Sequence, residues 1–222
     1  MWSLVYKEFV QIRTYLLQIF GFLTLAVIIF GRATPAIMMS YLYVYPIVAG
    51  MTLPQIVFGV EERGNTFTFL RALPIRPREI VAAKYLVTVG VTLVFALLLA
   101  VLGPMGSVSG TALMAALSAV ILISFALAAV SYFLHFWLGV KSARVALLFV
   151  TFAAAIPVMF LFRGRSTGGT SAYLTMKLSE IGPLAGSPAG VAMASGLGLG
   201  ILYISYLASA WLFTKRDLSR LP

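Results

Sequence analysis

A chain of 222 residues that is 61% hydrophobic and only 10% charged cannot cover its own apolar surface in water, where soluble domains carry about 25% charged residues. Its net charge of +10 does not mark a nucleic-acid binder, because the Lys and Arg stand in short clusters between long apolar runs. The absence of cysteine excludes disulfides and thiolate metal sites, and His135, the only histidine, leaves no multi-histidine metal or haem site within the chain. An all-α polytopic membrane protein is expected, as one transmembrane domain over residues 1–222.

In chain order, Trp2, Val5, Phe9, Ile12 and Leu16 share one helical stripe, with Ser3, Lys7, Glu8 and Gln11 on the other side. This predicts a helix lying in the membrane interface over residues 1–13. Lys7 and Arg13 then precede an apolar run from Tyr15 to Phe30, which is long for a cleaved signal segment and reads as an uncleaved first span. A spanning helix needs about 20 mostly apolar residues. Breaks at charges, Gly and Pro give six transmembrane helices: Thr14–Phe30, Ala36–Val60, Tyr85–Leu102, Ala112–Leu134, Val145–Phe162 and Gly190–Phe213. With the N-terminus inside, twelve Lys and Arg fall on inner segments and four on outer ones, namely Arg32, Arg163, Arg165 and Lys177. Both termini are therefore expected in the cytoplasm, across a bacterial cell membrane. Three of the four outer charges lie in the external loop 163–189, where the apolar Ile181–Ala185 stretch suits a re-entrant hairpin.

All six acidic residues are expected outside the spans, with the basic ones in loops or at span ends. Proton-driven carriers place ionisable groups within the membrane, so energy is expected from another polypeptide. Gly59 to Thr66 has the outline of a phosphate loop, but Asn65 stands where the essential Lys belongs, and a helix precedes it. Ser107 and His135 lie near opposite ends of their spans, about 30 Å apart, too far for a catalytic dyad. His135 then reads as an interfacial polar residue. Tyr41, Tyr43 and Tyr45 fit an aromatic belt, with Tyr41, Tyr45 and Met51 the candidates for lining a substrate pathway. Gly196 and Gly200 have the spacing that lets helices approach closely, either inside the bundle or between subunits.

The most informative stretch is the inner loop from Glu61 to Lys84. Glu61 and Glu62 stand ahead of a short helix that Asn65 can cap, and acidic residues there complement the positive helix end. On Thr66–Leu73, the side chains Phe67, Phe69, Leu70 and Leu73 cover one side, away from Thr68 and Arg71. Pro74 ends that helix, and Pro77 fits the first turn of the next. A short helix with exposed apolar side chains suits a groove in a partner.

Tyr45–Val87 resembles the membrane subunits of type-2 ABC exporters. In that pattern an acidic pair follows span two, an amphipathic coupling helix comes next, and a conserved-looking lead enters span three. Leu73-Pro74-Ile75, Arg78-Glu79-Ile80-Val81 and Lys84-Tyr85 carry the match. Within that family the chain looks most like permeases that export amphipathic bacterial peptides of the phenol-soluble modulin type. The resemblance implies a dimer of identical or related permeases bound to two cytoplasmic ATPase subunits, which hold the ATP and Mg. It implies that Phe67, Leu70 and Arg71 dock in a groove of the ATPase, with Glu61, Glu62, Arg63, Asn65 and Thr66 completing the coupling segment. The chain itself is then not an enzyme. Two rivals are a haem-exporter-type permease, which the single histidine disfavours, and a membrane assembly protein that transports nothing.

Overall fold

The computed structural model describes residues 2–30, 35–63, 76–102, 109–150, 184 and 186–215. Among the described residues every regular element is helical. Helices α1 (Trp2–Phe30), α2 (Pro35–Arg63), α3 (Pro77–Leu102), α4 (Gly110–Leu138), α5 (140–150) and α6 (Pro188–Lys215) follow in order. Three of them, over Pro77–Val101, Gly110–Leu138 and Pro188–Lys215, are long and apolar enough to cross a membrane.

The helix starts follow local chemistry. Pro77 opens α3, where its missing N–H is no loss. Ser109 caps α4 by accepting the Ala112 N–H at 3.4 Å. Ser187 caps α6 by accepting the Gly190 N–H at 3.1 Å, with Pro188 in the first turn. Helix α4 stops at Gly139, whose φ of 83° suits glycine, and the Gly139 N–H returns to the His135 carbonyl. The Gly139 carbonyl in turn accepts from Ala143, so α5 begins at once.

Residues 2–13 run on into the apolar stretch as one helix, α1, rather than forming a separate interfacial element. Leu4, Glu8, Ile12 and Leu16 are buried, while Trp2 and Phe9 are exposed. A four-residue step keeps side chains on one helix face, and that face is the one carrying Glu8.

The core has two main parts. Ile12, Leu16, Leu53, Val57, Val87 and Phe95 join α1, α2 and α3. A larger cluster joins α2, α3, α4 and α6 through Phe58, Tyr85, Phe125, Tyr132, Phe136 and Leu202. Two glycines allow the closest approaches. A Cβ on Gly50 of α2 would lie 2.5 Å from the Ser124 carbonyl oxygen of α4, and one on Gly198 of α6 would lie 2.7 Å from the Phe125 ring. Gly196 and Gly200 face open space instead, so the close packing of α6 runs along Gly190, Ala194 and Gly198. Outside this core, large apolar side chains such as Leu97, Phe149, Ile204 and Trp211 are exposed. Water would penalise that surface and hydrocarbon would not.

Candidate functional site

At the loop end of α2 and the start of α3, four ionised side chains close into a ring. Lys84 Nζ lies 2.6 Å from Glu61 Oε1 and 3.1 Å from Glu8 Oε1. Lys7 Nζ lies 2.9 Å from the same Glu61 oxygen and 3.1 Å from the same Glu8 oxygen. Two positive and two negative charges therefore alternate, contributed by α1, α2 and α3. Glu8, Glu61 and Lys84 are buried, and Lys7 is the member that reaches the surface.

Acidic and basic residues were expected at polar span ends, so their withdrawal into the bundle corrects that reading, and Lys84 falls within a candidate span. Charge compensation makes the burial tolerable, because an unpaired charge there would cost several kcal/mol. Burial by itself raises the Glu61 carboxyl, but Lys84 and then Lys7 outweigh it and hold the group below the ordinary carboxylate value. For Lys7, burial lowers the ammonium, and Glu61 followed by Glu8 outweighs this and leaves it raised. The second oxygens of both carboxylates are buried with no hydrogen-bond partner among the described residues, so the ring has acceptor capacity left over for a change of partners.

The ring is supported from above. The Lys84 ammonium lies 5.2 Å from the centre of the Phe58 ring, a cation–π contact. The Tyr132 hydroxyl donates to the Lys84 carbonyl at 3.0 Å and meets Thr88 Oγ1 at 2.7 Å. Tyr85 stacks on Tyr132 and places its hydroxyl 2.8 Å from Ser205 and 3.0 Å from Ser209 of α6. Ser205 donates onward to the Ala129 carbonyl at 2.7 Å. A chain of polar groups thus connects the ring to α4 and α6.

His135 is buried near the end of α4, stacks on Phe58 with ring centres 4.8 Å apart, and its Nδ1 lies 2.7 Å from the Ser131 carbonyl.

Of the predicted coupling residues, the structure brings Glu61 into the ring and leaves Glu62 at its edge, 3.6 Å from Arg144 of α5. Both of these side chains are partly exposed, so their attraction is weak. The Arg63 side chain and Asn65, Thr66, Phe67, Leu70 and Arg71 lie outside the described residues, as do the loop 163–183 and Ser107. Tyr41 and Tyr45 are on α2, with their side chains outside the described set. Met51 is half-buried, and its carbonyl accepts from Ser131 of α4 at 3.4 Å. Among the described residues no group of His and carboxylates could hold a metal.

Sequence reasoning missed Lys7 and Lys84 as the shared partners of Glu8 and Glu61. A signal was available: Leu4, Glu8, Ile12 and Leu16 recur at the helical step, as do Lys84, Thr88 and Thr92, and Ser205 with Ser209. Polar residues repeated at that step within an apolar helix share one face, and such a face belongs toward other protein.

Three helices long and apolar enough to cross a membrane, the first of them tied at one end to α1 and α2 by buried ion pairs, have the architecture of a multi-span membrane subunit. The family model for the ABC-2 family transporter proteins matches residues 3–214, and the chain belongs to that family. Neither a search of curated proteins nor one of solved structures returned a match.

Proposed function

We propose that this ABC-2 permease works as an exporter subunit for an amphipathic peptide or lipid-like substrate, driven by two copies of a separate cytoplasmic ATPase that binds ATP and Mg. A second permease, identical or related, completes the pathway. Six spans with both termini in the cytoplasm form the bundle, the expected spans Thr14–Phe30, Ala36–Val60 and Val145–Phe162 adding to the three clearest ones.

The observation that carries this reading is the Lys84–Glu61 contact. These residues flank the loop 64–75 on either side, and Glu8 and Lys7 bind both to α1. A push on the loop is therefore delivered to three helices as one rigid unit. The coupling helix Thr66–Leu73 is the element on which the ATPase acts, with Phe67, Leu70 and Arg71 in its groove. A compensated ring also fits a driven permease better than a proton carrier, since each buried charge already has an opposite neighbour. Extensive apolar surface and buried serine and tyrosine hydroxyls suit a cargo with both characters. The single histidine, stacked inside the bundle, offers no pair of axial ligands for haem.

The test is reconstitution with a cytoplasmic ABC ATPase as partner. Wild-type permease is expected to stimulate ATP hydrolysis, and the double variant Phe67→Asp/Leu70→Asp is expected to lose that stimulation while still reconstituting. Undiminished stimulation by the double variant removes the coupling-helix assignment. Export of cargo driven by an ion gradient without nucleotide removes the whole reading.

A further inference from the structure

A groove of about 930 Å³ runs along the outside of the bundle between α1 and α3, within the range of roughly 300–1,000 Å³ typical of small-molecule sites. Its floor is made by Leu16, Val87 and Val91, and its walls by side chains such as Leu17 and Val94. At Gly90 the wall carries no side chain, and a Cβ there would meet nothing within 4 Å. One lining residue is ionised: Arg13.

The register of the two helices places that charge. Leu4 packs with Ile80 and Ala83, and Ile12 and Leu16 pack with Val87 and Val91, so α1 and α3 run parallel. Arg13 precedes the mostly apolar, uncharged run from Tyr15 to Phe30, which sets it at the boundary between headgroups and hydrocarbon. Side chains on a helix lean toward its N-terminus, so Arg13 reaches back toward the polar side, over the turn of Phe9. Trp2 and Tyr6, both strongly exposed, stand at the same mouth of the groove, with the amphipathic character of residues that sit at headgroup level. Arg13 makes no ion pair among the described residues, in contrast to Lys7 one face away. An arginine on an apolar, membrane-facing groove wants an anion, and the planar guanidinium fits a phosphate by two parallel hydrogen bonds.

We infer that this groove binds one anionic phospholipid from the leaflet at the N-terminal end of α1, with its phosphate on Arg13 and an acyl chain along Leu17, Gly90 and Val94. The charge complementarity selects the headgroup, and the open space at Gly90 admits the chain. The site is separate from the ion ring and does not depend on the direction or cargo of transport.

The experiment places a single reporter in the groove: Leu17→Trp in a background of Trp2→Phe, Trp137→Phe and Trp211→Phe. The full-length protein is reconstituted in phosphatidylcholine vesicles that contain either brominated phosphatidylglycerol or brominated phosphatidylcholine, and tryptophan quenching is followed against the brominated fraction. Half-maximal quenching is expected at a several-fold lower fraction of the glycerol lipid. Arg13→Gln is expected to make the two curves coincide, and Gly90→Phe to reduce quenching by both. Arg78→Gln, an exposed cation outside the groove, is expected to change neither. Equal quenching by both lipids with Arg13 in place, selectivity that survives Arg13→Gln, or a reporter that neither lipid quenches would overturn the inference.

Discussion

The Lys84 ammonium of α3 sits 2.6 Å from the Glu61 carboxylate of α2, and both side chains are withdrawn from solvent. The two residues stand on either side of residues 64–75, the segment proposed above to meet the ATPase. Removing one charge leaves the other three unbalanced in a poorly polarisable interior. Lys84→Met is therefore expected to destabilise the protein by about 3–5 kcal/mol, the usual cost of stranding a buried partner. Adding Glu61→Gln restores neutrality around Lys7 and Glu8, and the double variant is expected to recover most of the loss. Thermal unfolding in detergent measures both, and equal losses in the single and double variants would refute charge imbalance as the cause. Arg144→Gln, which touches only the exposed 3.6 Å pair with Glu62, is expected to cost no more than about 1 kcal/mol.

The same ring fixes a pH profile with two limbs. Glu61 titrates below its unfolded value of 4.5, so its contribution is present above that value and fades as the pH falls through the folded pKa. Lys7 titrates above its unfolded value of 10.5, so its contribution is complete below that value and fades as the pH rises through the folded pKa. The melting temperature is expected to hold a plateau between these limits and fall on either side. Lys7→Gln should remove its share of the alkaline limb, and Glu61→Gln its share of the acid limb, in melts recorded from about pH 3 to about pH 12. A profile unchanged by either variant would show that the ring does not hold its charges as described.

Much of the helical plan was legible because each signal is local. Pro77 marks a helix start by the chemistry of a single turn, and the apolar runs have membrane length, whereas the caps Ser109 and Ser187 were not singled out. The Glu61–Lys84 segment was singled out from its own residues and its family pattern. The ion ring was not legible, because it joins positions 54 and 76 residues apart, and no local rule brings Lys7 to Glu61 or Glu8 to Lys84. The face that α1 turns to the bundle carries Leu4, Glu8, Ile12 and Leu16, while Trp2 and Phe9 are exposed.

Tyr132 offers a test of the polar chain above the ring. Its hydroxyl meets the Lys84 carbonyl and Thr88 within 3.0 Å, in a fully buried setting. Tyr132→Phe keeps the stacking on Tyr85 but leaves the Thr88 hydroxyl without that neighbour. Thr88 still donates to the Lys84 carbonyl at 3.3 Å, so a loss of about 0.5–1.5 kcal/mol is expected, the net worth of a hydrogen bond. A cycle of Tyr132→Phe, Thr88→Val and the double variant measures the coupling of the two hydroxyls. Additive losses would mean that the two hydroxyls act independently.

Glycines on α2 and α6 separate close packing from free surface. At Gly50 an added methyl meets the Ser124 carbonyl at 2.5 Å, and backbone cannot swing aside as a side chain can. Gly50→Ala must therefore push α2 away from α4, through the core that also holds Leu53 and Val57. Overpacking of about 1–3 kcal/mol outweighs the gain of up to about 1 kcal/mol from replacing a helical glycine, so the net change is destabilising. Gly196→Ala and Gly200→Ala meet nothing within 4 Å, and only the gain applies. These variants are expected to keep or raise the melting temperature. The pair has the spacing of a helix-contact motif, yet within the protomer the contact falls on Gly198, two residues from each. Destabilisation of the isolated protomer by Gly196→Ala would mean that α6 is rotated from the packing described, and a neutral Gly50→Ala would mean that α2 and α4 do not approach at Ser124.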